Sequence, residues 1–479
     1  MTSHVPRCVL LVSILAVGLL STVSPATETL GAGEAEGGPR VGVQAETVID
    51  EGGLNFAQGP WGTCINGQTF QEQALATHQG CQYATYFHGS GRLAIARRRL
   101  PAGPWQRIHF DDYRIRHSDV HNVAVLGVCP GDGTLHLAFD HHGHPLHYRV
   151  SKPGVATHPD RFAWDAGLFG PITDTLDQAE PLRGVTYPMF APAPDGGLLL
   201  YYRTGGSGDG DWHLTEYDPA QSCWAPPRRF LAKEGLFQED SSRCAYLNGL
   251  QYDARNRLHV SWCWRETPDL KSNHDLLYAC SDDRGRTWQN NAGQPIARSG
   301  QTPLRVDSPG ILVAPLAFGW GMMNQLTQDV DGQGRVHVML WHNPLDAPGP
   351  NHDLNAWRYF HYWRDPAGQW HRQAMPFFGR KPRLVVDEAG DALLVFNKGT
   401  DLEYHQQDHG GKLHVAAATA KAHWTDWRVV YTSDRDYVGE PRVDVLRWRS
   451  EHTLSVYVQQ KPAEPGKSSP LWAIDLQVN

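Results

Sequence analysis

Short apolar runs closed by glycine, aspartate or asparagine recur along the chain in one plan: a strand, a tight turn, a second strand often opening with Leu-His or Val-His, a loop, and a third strand. Four segments show it clearly: His121–Val150, Tyr187–Tyr217, Tyr246–Ser281 and Asn324–Tyr362. Their hairpins turn at Pro130-Gly131-Asp132-Gly133, Pro194-Asp195-Gly196-Gly197, Asp253-Ala254-Arg255-Asn256 and Asp331-Gly332-Gln333-Gly334, residues that tolerate turn dihedrals. Weaker copies lie at Phe70–Ile95, Pro382–His405 and Pro441–Ile474. The second strands end near His88, His141, Arg203, Cys263, His342, Asn397 and Gln459, between 53 and 79 residues apart, a pitch that suits four short antiparallel strands plus loops. No window shows helical periodicity. The pattern predicts an all-β chain folded as a seven-bladed β-propeller over residues 45–479, with Ala45–Glu51 closing the last blade; six blades with an extra N-terminal layer is the alternative.

Ser281-Asp282-Asp283-Arg284-Gly285-Arg286-Thr287-Trp288 fits the Asp-box pattern S-x-D-x-G-x-T-W of sialidase-like propellers. In that pattern Asp and Thr bond the turn backbone and Trp packs beneath, so it is a folding element without catalytic content.

Composition adds constraints on partners. The 479 residues carry 43 Lys and Arg against 51 Asp and Glu, a formal charge of −8, which argues against broad nucleic-acid or anionic-membrane binding. An anionic ligand must therefore meet a local cationic pocket. The one strongly apolar run, Val9–Leu20, follows Arg7 and precedes Ser24-Pro25-Ala26, the layout of a secretory signal over residues 1–26. It is too short to span a bilayer. Residues 27–44 read as a flexible lead-in, and the mature protein as secreted or periplasmic, monomeric and free of the membrane. Seven cysteines remain after such cleavage, an odd and sparse set that is no disulfide framework; Cys64 and Cys81 are the nearest pair on offer for a bridge.

In a propeller blade the start of the first strand and the end of the second reach the same face. That rule gathers His121, Asn122, Tyr187, Tyr246, Asn248, His141, His142, Arg203 and Arg265 around one mouth, rich in His, Tyr, Arg and Asn and poor in carboxylates. Glycoside hydrolysis ordinarily needs paired carboxylates. A His, Tyr and Arg set suits proton abstraction beside a carboxylate followed by β-elimination, because charge building on the carboxylate must be neutralised. Trp264, Trp320 and Trp341 fall near the same rim and can stack on sugar rings.

The pairs His121…His141 and Tyr187…Arg203, with the later Asp-box, resemble the seven-bladed propeller polysaccharide lyases that cleave ulvan, within the BNR-repeat group. By that resemblance His121 is the base, Tyr187 the acid that protonates the departing glycosidic oxygen, and Arg203 with His141 the carboxylate neutralisers. Base and acid remain exchangeable between His121 and Tyr187, and His142 competes with His141. Asn122, His142, Arg265 and Asn248 are the expected substrate-binding residues, and the expected partner is an acidic, uronate-containing polysaccharide. No cofactor is required for this catalysis. Related lyases can carry a metal, and Cys244, Cys263 and His274 are the candidate ligands of a structural Zn²⁺. The competing expectations are a sialidase-like propeller glycoside hydrolase and a non-catalytic carbohydrate-binding propeller.

Overall fold

A computed structural model describes residues 38–177, 180–345, 357–399 and 410–479. The expected signal at 1–26 lies outside the described residues. The strand expected from residue 45 begins earlier, at Val41, so the end of the expected lead-in is ordered: Val41–Gly53 pairs antiparallel with the last strand, Ser469–Val478.

The described chain is all-β apart from one short α-helix and a few 3-10 turns. A seven-stranded sheet runs from Val41–Gly53 through Ser469–Val478, Thr453–Gln460, Arg428–Val443, Gly411–Ala418 and Ala392–Lys398 to Arg383–Val386. Two four-stranded sheets span Leu75–His78 to Gln106–Arg114 and Thr327–Val330 to Trp370–Ala374. A three-stranded sheet holds Ala124–Val128, Leu135–Phe139 and Tyr148–Val150, and a twelve-stranded sheet covers the stretch from His142 to Ala314. The expected second strands all appear, ending within two residues of His88, His141, Cys263, His342, Asn397 and Gln459; the strand through Arg203 runs on to Gly206.

The hairpins form because their turn residues meet orphaned backbone donors. Asp331 Oδ1 accepts from the backbone N–H groups of Gln333 and Arg335 at 2.9 and 2.8 Å, and Asp253 Oδ1 accepts from those of Arg255 and Arg257 at 2.8 Å each. At Asn256 φ is 67°, a left-handed conformation that asparagine tolerates.

Neighbouring first strands are joined by side chains that satisfy each other's edges. Gln73 accepts from the backbone N–H of Phe190 with its side-chain Oε1 (3.1 Å), while its backbone carbonyl accepts from that of Leu126 (2.9 Å). Asn248 Oδ1 takes Leu326 N–H at 3.0 Å, and Asp329 Oδ2 takes Val386 N–H at 2.9 Å. Asp444 links the two ends of the fold, accepting from Thr77 and Gln82 (Thr77 Oγ1 at 2.6 Å), and Glu72 pairs with Arg383 at 2.7 Å across 311 positions of sequence. These links carry the first strands into one interior.

The Asp-box forms as expected. Asp283 Oδ1 accepts from Thr287 N–H at 2.7 Å and Arg286 N–H at 3.1 Å, Ser281 Oγ accepts from Gly285 N–H at 2.8 Å, and Trp288 is fully buried on Phe230. The helix Val445–Glu451, which periodicity did not predict, spans seven residues and is capped by Asp444; it is too short to register a pattern. The seven described cysteines are free thiols, all buried except the half-buried Cys223, so the bridge considered for Cys64 and Cys81 does not form. Cys64 instead donates to the carbonyl of Asn66 at 3.2 Å. Among the described residues no helix is long and apolar enough to cross a membrane.

Candidate active site

A cavity of about 120 Å³ opens where several first strands begin, walled by Trp61, Phe70, His121, His142, Tyr187, Tyr246, Arg265, Asn324, Lys381 and Glu440 among others. His121 lies in the loop before Ala124–Val128 and His142 opens the strand His142–His144, so the chain reverses between them and brings their rings to a stack at 4.3 Å. Asp119, two residues before His121, bridges the pair: Oδ1 is 2.5 Å from His121 Nδ1 and Oδ2 is 2.7 Å from His142 Nδ1. A carboxylate at Nδ1 places the proton there and leaves Nε2 as the lone-pair nitrogen. Burial pushes His121 below the ordinary imidazole range, outweighing the opposing pull of Asp119, with His142 and Arg203 adding to the depression. Asp119 is held far below the usual carboxylate range; burial opposes this, but hydrogen bonds from His121 and His142 prevail. His121 thus presents a neutral imidazole held by an ionised carboxylate.

Tyr187 reaches the cavity through a bulge. Its strand, Val185–Pro192, pairs Thr186 with Arg203 and then Met189 with Tyr201, so Tyr187 and Pro188 together face Tyr202 alone. Tyr187 sits at φ 52°, a strained conformation for a tyrosine, and stacks on Phe70 at 4.8 Å. Its ring centroid is 6.0 Å from those of His121 and of His142, and its hydroxyl makes no hydrogen bond among the described residues. Burial, reinforced by Tyr246, raises its pKa well above the ordinary phenol value, so the hydroxyl keeps its proton.

Arg203 is buried behind the wall, its guanidinium 4.9 Å from the Tyr187 ring centroid and 5.2 Å from that of Tyr246. Expected as a direct neutraliser, it lies outside the cavity wall, in cation–π contact with the two tyrosines. Arg265 does open on the cavity, where Nη1 donates to Asn324 Oδ1 at 3.2 Å and Nε to Thr267 O at 3.1 Å.

Other expected residues are placed elsewhere. His141 is buried outside the cavity wall, its Nε2 accepting from His147 N–H at 2.8 Å, so His142 takes the place considered for it. Asn122 is buried and donates to Asp140 Oδ1 at 2.5 Å. Asn248 is spent joining strands and lines only a small adjoining cavity. Trp264 and Trp341 are core residues and Trp320 is outside the wall, whereas Trp61, more than half exposed, edges His121 at 6.0 Å.

The expected zinc ligands are not brought together. Both His274 ring nitrogens are taken by carboxylates, Glu266 at 2.8 Å and Asp275 at 3.0 Å. His274 pairs across the sheet with Trp264, which puts its side chain on the face opposite Cys263. Burial pushes the Cys263 thiol up to about 12, and Cys244 Sγ accepts from Gly208 N–H at 3.2 Å. Neither belongs to a cluster of three metal-binding side chains among the described residues. Sequence reasoning also missed Asp119, Trp61, Lys381 and Glu440. Only Asp119 left a signal, its spacing of two from His121.

The profile of the BNR repeat-containing family matches residues 81–377, which holds His121, His142, Tyr187, Arg203 and Arg265. The chain belongs to this family. Among curated proteins it is similar to a long-isoform ulvan lyase from Alteromonas sp., 24% identical over 342 residues that cover 62% of this chain and 33% of that protein. It is also similar to a short-isoform ulvan lyase from Alteromonas sp. (strain LOR), 24% identical over 56% of this chain and 62% of that one. The chain thus matches about a third of the length of the long-isoform relatives. Its fold is that of the crystal structure of the polysaccharide lyase Uly1, with a TM-score of 0.70 over 91% of this chain and 99% of that one at 17% identity. A PL25 ulvan lyase bound to -[GlcA(1-4)Rha3S]- superposes with a TM-score of 0.65 over 90% of this chain and 94% of that one, at 14% identity.

Proposed function

We propose that this protein is a polysaccharide lyase that cleaves a uronate-containing acidic polymer of the ulvan kind by β-elimination. The observation that carries this reading is the Asp119-held imidazole of His121 beside the protonated hydroxyl of Tyr187 in one cavity. His121 Nε2 takes the C5 proton of the uronate, which lies α to the carboxylate. The electron pair released forms the C4–C5 double bond as the C4–O bond breaks, and the Tyr187 hydroxyl delivers its proton to the departing oxygen. Arg265 meets the carboxylate as its charge grows, and Arg203 lends a positive field from behind Tyr187 and Tyr246. The low pKa of His121 and the high pKa of Tyr187 support base and acid in that order.

A hydrolase reading lacks its carboxylate pair. Glu440 is the one carboxylate in the described wall, and it accepts from the backbone and hydroxyl of Thr69. The fold is read as seven blades closed by Val41–Gly53, on the support of its pairing with Ser469–Val478 and of the Asp444–Thr77 link between first and last units. An exported enzyme is the accompanying proposal, resting on the sequence of residues 1–26. Incubation with uronate polymers tests the reaction: elimination yields an ultraviolet-absorbing unsaturated uronate. New reducing ends without that absorbance identify a hydrolase, and binding without new ends identifies a carbohydrate-binding protein.

A further inference from the structure

Asp50, His88 and His109 meet where the closing strand touches the first four-stranded sheet, and none of them lines the active-site cavity. Asp50 lies in Val41–Gly53, His88 directly follows Cys81–Phe87, and His109 lies in Gln106–Arg114, so three separate strands contribute. One carboxylate oxygen and two imidazole nitrogens fall within 4.8 Å of one another. His109 Nε2 is 2.8 Å from Asp50 Oδ2 and His88 Nε2 is 4.0 Å from Oδ1. Donors around a tetrahedral ion at about 2.0–2.1 Å stand roughly 3.3 Å apart, between those two separations. The two rings stack at 4.4 Å, and about a quarter of each histidine side chain is exposed, which leaves one side of the set open to water.

The surroundings aim these groups. The Tyr86 hydroxyl donates to Asp50 Oδ2 at 2.7 Å and Gly52 N–H donates to Oδ1 at 2.8 Å. A Cβ at residue 52 would come within 2.8 Å of His88 Nε2, so glycine there leaves that nitrogen its approach. Ser90 places its N–H 3.1 Å and its Oγ 2.9 Å from His88 Nδ1. In the metal-free ring Nδ1 accepts from that N–H and Nε2 carries the proton. A metal at Nε2 moves the proton to Nδ1, where Ser90 Oγ accepts it. Burial lowers the pKa of His88, which keeps the ring neutral and able to ligate. Arg107 is a competing cation 3.9 Å from Oδ2, but its guanidinium is committed to the carbonyls of Ile49 and Val48.

We propose that Asp50, His88 and His109 bind a first-row divalent ion of the Zn²⁺ type, which ties the closing strand to the first sheet and completes its coordination with water. Two imidazoles and a carboxylate suit such an ion, and the site shares no residue with the cysteine-based set expected from the sequence. It is independent of the reaction at the cavity.

The test titrates untagged, metal-stripped protein with Zn²⁺ by calorimetry, in wild type, His88→Gln and His109→Gln. Wild type should take up one equivalent at this site. Each variant should lose it, or bind it more weakly by more than the about 10- to 100-fold that loss of an outer-shell partner costs. Co²⁺ in place of Zn²⁺ should give visible ligand-field bands in wild type that both variants lack. Because the ion binds the folded chain, saturating Zn²⁺ should raise the melting temperature of wild type and leave those of the variants unchanged. His88 touches Asp50 only at 4.0 Å, so His88→Gln should fold as wild type does and keep its metal-free turnover. Zn²⁺ uptake that is equal in all three proteins would place the ion elsewhere, at the His121 and His142 or the His117 and His144 clusters, and would overturn the proposal. Absence of uptake by wild type, or an equal rise in melting temperature in all three, would overturn it as well.

Discussion

Asp119 Oδ1 stands 2.5 Å from His121 Nδ1 and also accepts the His121 backbone N–H at 2.9 Å, so one carboxylate fixes both the tautomer and the placement of the proposed base. The other oxygen holds His142, whose ring stacks on His121. The arrangement follows the carboxylate–imidazole logic of hydrolytic triads, with a carbon acid in place of a hydroxyl.

Asp119→Asn keeps the size of the side chain and removes its charge. An amide that turns its NH₂ toward Nδ1 favours the tautomer with the proton on Nε2, where the lone pair is needed. Turnover should fall by on the order of 10²–10⁴, with KM little changed and the melting temperature close to wild type. Steady-state kinetics alongside thermal unfolding separate this positioning role from a structural one, which would move stability first.

The pH profile follows from the two shifts. His121 must be neutral to accept a proton, and burial sets its pKa below 6.5, so kcat/KM should fall as pH drops through a midpoint below that value. Tyr187 must be protonated to act as acid, and its pKa lies well above 10.0, so no alkaline loss from this group should appear up to pH 10. A profile with its acid limb above 7 would assign the base elsewhere.

The Asp-box is remote from the cavity and should govern stability alone. Trp288→Ala empties a fully buried site and should destabilise the fold by about 3–5 kcal/mol. Asp283→Ala removes the acceptor for Thr287 and Arg286 N–H and should cost about 1–3 kcal/mol. Denaturant unfolding measures both, and the folded fraction of each variant should retain wild-type kcat/KM.

The strands were legible because each hairpin carries its own turn residues, and the ends of second strands were placed within a few positions from them. The rule that starts of first strands and ends of second strands share a face brought His121, His142, Tyr187, Tyr246 and Arg265 to one cavity correctly. It failed where direction within a strand mattered. His141 and His142 are neighbours, and alternation sends one into the interior and the other to the cavity. Arg203 sits at the right level but behind the tyrosines, a depth that strand order does not encode. The bulge that aims Tyr187 is equally silent in sequence apart from Pro188. The zinc expectation placed Cys263 and His274 by proximity along the rim, whereas pairing of Trp264 with His274 separates their faces. Lys381 and Glu440 precede or interrupt strands without any motif to mark them.

The central claim is that the Tyr187 hydroxyl supplies the proton for elimination at a ring whose C5 proton goes to His121. The most direct measurement is the rate of ultraviolet-absorbing product from a sulfated uronate polymer with wild type and with Tyr187→Phe, each checked for polymer binding. Phenylalanine keeps the stack on Phe70 and the contact with Arg203, and deletes only the transferable proton. The account predicts a fall in kcat of about 10²–10⁴ with binding preserved. Near-full lyase activity in Tyr187→Phe would contradict it.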